Sequence, residues 1–324
     1  MHTKVRVSRP FSLKATAISH GWHECSPVSW SEAAGVLQII ERAGKDAFRI
    51  SIREERSAGS RKRGAKQVSL RIDWERPGGL ALDPEFVVRR VNRMLKLDHD
   101  MSDFHALCRA HRLLEPVPQL GAGRLLHSYS MQENVIKAIC ATNVNWTQAV
   151  KMINRLGQLG PHVPHFRSLN AWPTPREILR AGESYLLDVC RVGYRADSIL
   201  SFCDDITAGK RDVEALCALA LREDVGSDEL LGELRGIKGI GPASAHFLLT
   251  CLGRYDRLSI DSATVYHVQH VHRGGKKPTT KQIENLYAPF GKWKNLVYWF
   301  ENWMTWETAR DMCDVEGIAY QGNT

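Results

Sequence analysis

The residues best suited to chemistry cluster in 234–261, which reads LRGIKGIGPASAHFLLTCLGRYDRLSID. A helix-length segment leads into Gly239-Ile240-Gly241. A second apolar helix follows from Pro242, and one carboxylate, Asp261, stands past a short loop. Gly236, Gly239 and Gly241 permit backbone angles that other residues resist. Amides exposed in such a turn, at a helix N-terminus, suit a phosphate group. The same residues also suit an ordinary helical hairpin, and an Asp before a helix is commonly its cap. Read together, they pair a phosphate anchor with an acid able to stabilise developing positive charge.

Several elements must position that pair. Ser227 reads as an N-cap, with Asp228 and Glu229 in the first turn and Leu230, Leu231 and Leu234 on the buried face. Pro242 suits the first turn of the next helix, whose apolar face is Ala245, Leu248, Leu249 and Leu252. Ser262 reads as a cap for the helix after Asp261. Further helices are expected over 194–204, 211–221, 262–272, 281–287 and 293–304. Cap pairs Ser130/Glu133, Asn145/Gln148 and Thr174/Glu177 announce others, and Asp83-Pro84 opens a helix with Phe86, Val87, Val91, Met94 and Leu95 on one stripe.

Ahead of these the pattern changes. Phe48, Ile50 and Ile52 alternate with polar residues, as do Val68, Leu70 and Ile72, which predicts two antiparallel strands. Residues 54–66 between them form a basic, Gly/Ser-containing connection, read as a solvated hairpin tip with at most a non-specific phosphate role. Residues 29–42 read as a helix packed on this sheet. The expected fold is mainly α: a helical body, 81–324, preceded by a small α+β domain, 1–80, with an antiparallel sheet.

Composition agrees. The 324 residues hold 44 Lys+Arg against 36 Asp+Glu, a net charge of +8, which favours a polyanionic partner. The eight cysteines are scattered without a CxxC pair, so they read as reduced core thiols of a cytoplasmic protein, and a thiolate zinc site is not expected. No signal peptide or membrane-spanning run is visible.

The hairpin and Asp261 resemble the helix-hairpin-helix DNA glycosylase superfamily, named for its hairpin, its Gly/Pro-rich loop and an essential aspartate. The separation of Asp261 from Gly241, 261 − 241 = 20 residues, is the family's spacing. The small α+β part ahead of a helical body resembles the 3-methyladenine and 8-oxoguanine glycosylase branch. By this resemblance Asp261 is catalytic, and Gly239, Ile240, Gly241 and Ala243 bind the DNA backbone. Residues 137–146, KAICATNVNW, resemble the family's DNA-inserting loop, with Asn143 filling the gap left by an extruded base. Gly193-Tyr194-Arg195-Ala196 is similar to a motif whose Tyr wedges the stack and whose Arg contacts the estranged base. Residues 287–303 resemble the last major helix of the fold, so Asn295 and Trp299, with Phe247, take base-pocket positions. Taken singly, Asn143 could equally end a helix, Tyr194 begin one, and Phe247 or Trp299 fill a core.

The resemblance also implies an alkali cation, Na+ or K+, on the carbonyls of Arg235, Ile237 and Ile240, and no other cofactor. Only Cys313 lies beyond Cys251, so the C-terminal four-cysteine iron–sulfur cluster of some relatives is not expected. Bifunctional relatives carry a Lys two residues past the second hairpin glycine, where this chain has Ala243, and Lys238 lies before the glycines. An arginine that reads an opposite cytosine falls on Gln148. The resemblance therefore implies a monomeric, monofunctional glycosylase acting on double-stranded DNA with a modified base, alkylated purines first. A bifunctional glycosylase/lyase and a catalytically silent DNA-damage-binding protein are the alternatives.

Overall fold

The computed structural model describes residues 1–55, 66–75, 82–163 and 166–320. The chain forms two compact units, Met1–His99 with Arg124–Asp212 and Asp100–Gly123 with Val213–Thr324. The sheet thus shares its unit with helical segments well beyond residue 80, a different division from the one drawn on the sequence.

The first unit is built on five antiparallel strands: β1 (His2–Ser8), β2 (Val28–Ser31), β3 (Val36–Ala43), β4 (Asp46–Glu55) and β5 (Gln67–Glu75), in the order β1-β5-β4-β3-β2. The alternation in β4 and β5 is as expected, with Phe48, Ile50, Ile52, Leu70 and Ile72 fully buried and Ile52 opposite Ile72. Residues 29–42 are not a helix. They form the β2–β3 hairpin, with Trp30 opposite Leu37. Gly35, at φ +60°, makes the turn, and Val36, Ile39 and Ile40 favour the extended chain. The tip of the β4–β5 connection, 56–65, lies outside the described residues.

Helices of this unit start as their caps dictate. The side chains of Asp83, Ser130, Asn145 and Thr174 accept from backbone N–H groups of Pro84–Leu95, Met131–Cys140, Trp146–Gly157 and Pro175–Ser184 respectively. Thr174 and Glu177 form a full capping box. Arg195–Thr207 is the last long helix of the unit.

The second unit is helical. Ser102–Ala110, Ser227–Arg235, Pro242–Cys251, Thr280–Tyr287 and Lys294–Trp303 contribute Phe104, Leu231, Leu248, Leu249, Tyr287, Phe300 and Trp303 to its core. Residues 211–221 are helical only over Ala215–Leu219. Ser227 does not cap its helix. Gly226 holds that position, and the Ser227 hydroxyl donates to Asp256 Oδ1 at 2.6 Å. Residues 262–272 are a helix, Ser262–His267, that widens into a π turn, Val268–His272. All eight cysteines are free, and seven are buried. No helix among the described residues is long and apolar enough to cross a membrane.

Candidate active site

In the second unit, burial along the hairpin repeats every three residues. Leu231, Leu234, Ile237 and Ile240 point inward, and Lys238, Gly239 and Gly241 are exposed. The two isoleucines pin the turn to the core and leave its glycine backbone on the surface. Gly239 has φ +86°, which an L side chain rarely adopts. Gly241 is the N-cap of Pro242–Cys251, and a Cβ built on it meets nothing within 4 Å. Among the described residues the N–H groups of Gly239, Gly241 and Ala243 have no hydrogen-bond partner, whereas Ile240 donates to the Ile237 carbonyl at 3.0 Å. These are the orphan amides of a helix start, set in an open turn.

Of the three carbonyls named for an alkali cation, that of Arg235 ends the helix Ser227–Arg235, that of Ile237 follows its C-cap Gly236, and that of Ile240 lies within the glycine turn. That of Ile237 keeps one lone pair beyond its bond to Ile240, and the helix C-terminus favours a cation. Neutral, hard oxygens of this kind fit Na+ or K+, which would stiffen the turn.

Asp261 is exposed and is itself the cap of Ser262–His267, so Ser262 is not. Its Oδ1 accepts from the Thr264 N–H at 2.9 Å, and its own N–H donates to Thr264 Oγ1 at 3.2 Å. The single Thr264 hydroxyl proton is shared between the Ser259 carbonyl at 2.8 Å and Asp261 Oδ1 at 3.0 Å. Oδ2 has no hydrogen-bond partner among the described residues. One oxygen of the carboxylate therefore fixes the side chain, and the other is left for a substrate. Tyr298 is buried beneath this cap. Burial pushes its phenol well above the ordinary value, and the nearby Asp261 charge adds to the rise.

The loop that delivers Asp261 is braced to the hairpin. Ser259 Oγ donates to the Ala243 carbonyl at 3.0 Å. Arg257 grips Asp228, in the first turn of the first hairpin helix, through two bonds of 3.0 and 2.8 Å, and reaches Asp256 Oδ2 at 2.6 Å. Asn295 is 1% exposed. Its Oδ1 accepts from the Ser259 N–H at 3.0 Å, and its Nδ2 donates to Thr250 Oγ1 at 2.8 Å. Its amide thus ties three segments of the unit together rather than standing open to a ligand. Phe247 and Trp299 are half-buried and lie 6.2 Å apart, tilted by 34°, as one aromatic surface. Thr264, Tyr298 and Ser259 were not anticipated, although Asp261 and Thr264 have the spacing of a capping box.

The remaining expected residues belong to the first unit. Asn143 follows Met131–Cys140 at φ +48°, a left-handed conformation that Asn tolerates. Its Nδ2 donates to Tyr194 Oη at 3.3 Å. Both are exposed, Tyr194 to 65%. Arg195 is only 7% exposed. Its Nε donates to the Thr142 carbonyl at 3.2 Å, a second guanidinium nitrogen reaches the same oxygen, and Nη1 donates to the Val192 carbonyl at 3.1 Å. The guanidinium also lies 4.6 Å from the Tyr194 ring centroid. Arg195 therefore holds the Asn143 loop against Tyr194. Beyond the loop, Trp146 stacks on Trp22 at 5.9 Å. A cavity of about 590 Å³ in this unit is lined by residues including Phe86, Arg90, Tyr129, Glu133 and Trp172, and by none of the expected site residues.

No family model matches the chain. Its sequence is 20% identical over 221 residues to the DNA-3-methyladenine glycosylase of Bacillus subtilis (strain 168), spanning 67% of this chain and 71% of that one. Among solved structures it is similar to the 3-methyladenine DNA glycosylase of Archaeoglobus fulgidus, with a TM-score of 0.73, 16% identity, and coverage of 93% of this chain and 98% of that one. It is also similar to the Clostridium acetobutylicum 8-oxoguanine glycosylase/lyase, solved with double-stranded DNA containing cytosine opposite 8-oxoguanine. There the TM-score is 0.67 at 16% identity, covering 94% of this chain and 97% of that one. The chain has the fold of these DNA glycosylases: a helical body with an N-terminal antiparallel five-stranded sheet.

Proposed function

We propose that this chain is a DNA glycosylase that binds duplex DNA containing a modified base, extrudes that base, and hydrolyses its N-glycosidic bond to leave an abasic site. The observation that carries this reading is Asp261: an exposed carboxylate locked through Oδ1, open at Oδ2, and braced to a glycine turn with unpaired amides. Gly239, Gly241 and Ala243 hold a phosphate on their N–H groups. Asn143 and Tyr194, kept in place by Arg195, enter the base stack, because a base inside a duplex must leave it before it can be processed. Phe247 and Trp299 offer a stacking surface to the extruded base. As the glycosidic bond breaks, positive charge builds on the sugar, and Asp261 stabilises it and orients the attacking water.

Ala243 offers no amine where the lyases of the family carry one, so the reaction stops at hydrolysis and alkylated purines are the first class of substrate. Incubating wild type and Asp261→Asn with duplexes carrying a panel of alkylated, oxidised and deaminated bases tests this. Alkali-revealed abasic sites are expected with wild type. The loss in Asp261→Asn should be on the order of 10²–10³-fold, as for removal of one preorganised electrostatic contact. Asn caps a helix as well as Asp does, so the variant stays folded. Base release by Asp261→Asn at the wild-type rate would refute the assignment. Borohydride trapping of a covalent complex with DNA would replace hydrolysis by a lyase reading through another amine.

A further inference from the structure

The second unit contains a buried cluster that the proposed reaction does not use. His267 and His272, on the helix that Asp261 begins and its π-turn continuation, face Glu301 on Lys294–Trp303. Their three candidate ligand atoms lie within 4.8 Å of one another. His272 Nε2 is 3.0 Å and His267 Nε2 3.5 Å from Glu301 Oε2. His111 Nε2 approaches Glu301 Oε1 at 3.5 Å, and Tyr287 donates to Oε2 at 2.7 Å.

Two features set this cluster apart from an ordinary buried ion pair. First, His267 is 2% exposed, and neither of its ring nitrogens has a hydrogen-bond partner. Its Nε2 faces Glu301 Oε2 only at the long distance of 3.5 Å, and its Nδ1 is unpaired in either tautomer, at a buried position where polar groups are nearly always paired. A cation on Nε2 would replace that long contact by a ligand bond. Second, the two histidines are five residues apart. In a regular α-helix that spacing puts side chains on different faces, about 140° apart at 3.6 residues per turn. The π turn Val268–His272 unwinds the helix locally and brings His272 round to the His267 side. Such turns are rare and recur at functional sites.

We infer that His267, His272 and Glu301, with His111 at the edge, form a binding site for a zinc-class divalent transition metal. Two imidazoles and a carboxylate suit such an ion, whose ligands sit at about 2.0–2.2 Å. Tyr287 then serves as an outer hydrogen bond to the ligating carboxylate, as ligands in metal sites usually require. The site is structural. It is buried, and it fixes the far end of the helix whose first residue carries Asp261. This inference does not depend on the proposed reaction, since it concerns metal content and stability.

The test uses the full chain without an affinity tag, stripped with a chelator and titrated with Co2+. Wild type should develop visible d–d absorption that saturates at one equivalent, and Zn2+ should abolish it by displacement. Zinc X-ray absorption should show only nitrogen and oxygen ligands. Bands should be absent in His267→Asn and His272→Asn, with far-UV circular dichroism checking that each folds. Absence of bands in wild type, sulfur in the zinc ligand shell, or undiminished bands in both folded variants would each overturn the site. The wild-type measurements stand even where a variant fails to fold.

Discussion

Replacing Asn295 by Ala should weaken the fold before it touches any chemistry. The side chain is 1% exposed, and both of its polar atoms are paired inside the protein. Each such bond contributes about 0.5–1.5 kcal/mol net. The two partners respond differently. Thr250 keeps its bond to the His246 carbonyl at 3.0 Å, so its hydroxyl stays satisfied. The Ser259 N–H loses its acceptor in a buried loop, and an orphaned donor there costs about 1–3 kcal/mol. The losses overlap, and together they amount to about 2–4 kcal/mol. At roughly 3 °C per kcal/mol for a unit of this size, the thermal midpoint should fall by roughly 6–12 °C. Differential scanning fluorimetry measures this directly. Base release assayed well below the lowered midpoint should fall much less than in Asp261→Asn. A midpoint within a degree of wild type, together with loss of base release, would refute the bracing role and return Asn295 to direct contact with the base.

Three further substitutions separate folding from function. Gly241→Ala has room for its methyl group and an ordinary φ of −82°, so its midpoint should move little, while the added carbon at the open turn should weaken DNA affinity several-fold in fluorescence anisotropy. Tyr194→Ala removes a 65% exposed ring and should lower base release without lowering stability, whereas Arg195→Ala removes a buried clamp and should lower both, read as paired midpoint and rate measurements. His127 is fully buried with both ring nitrogens unpaired, and burial holds it neutral, well below its usual pKa. Its contribution is fully present above about pH 6.5 and is lost as the pH falls below that value, because the unfolded chain then takes up the proton first. His127→Leu should therefore raise the midpoint more at pH 5 than at pH 8, and an equal shift at both would refute this reading.

How far the sequence reveals the fold depends on the range of the interaction concerned. Caps and glycine turns act within four residues, so Asp83, Ser130, Asn145 and Thr174 could be read directly. The hairpin was legible as a glycine turn between two helices, whereas Asp261, 20 residues past Gly241, was singled out by the resemblance. Residues 29–42 misled because β3 is buried on both faces. Val36, Leu37, Ile39 and Ile40 are all inside, a spacing that mimics a helical stripe. Ile40 packs separately with Ala47, Val163 and Ala171. Asn295 and Arg195 were legible as positions but not as roles. Ser259 and Thr250, the partners of the Asn295 side chain, lie 36 and 45 residues away, and Thr142, which Arg195 clamps, lies 53 away; the local bond of Arg195 to Val192 signals neither role. The histidine cluster was hidden by the π turn, since five-residue spacing does not share a face on a regular helix.

In the proposed reaction one aspartate both caps a helix and stabilises charge on the sugar, and the bracing of the loop before Asp261 bears on how it can do both. A cap uses one carboxylate oxygen, and electrostatic stabilisation needs only the other. Held by Thr264 alone, the side chain would still move with its helix. Ser259 removes that freedom by joining the loop to the Ala243 carbonyl on one side and to Asn295 on the other. Arg257 repeats the constraint through Asp228, at the opposite end of the first hairpin helix from the turn. A phosphate seated on the Gly239–Gly241 amides would therefore be placed at a fixed offset from Oδ2, because anchor and acid are parts of one hydrogen-bonded frame. Disrupting the frame without touching Asp261, as Ser259→Ala does, should leave DNA affinity near wild type and lower the rate of base release under single-turnover conditions. Equal losses in affinity and rate would show that the turn and the acid move independently.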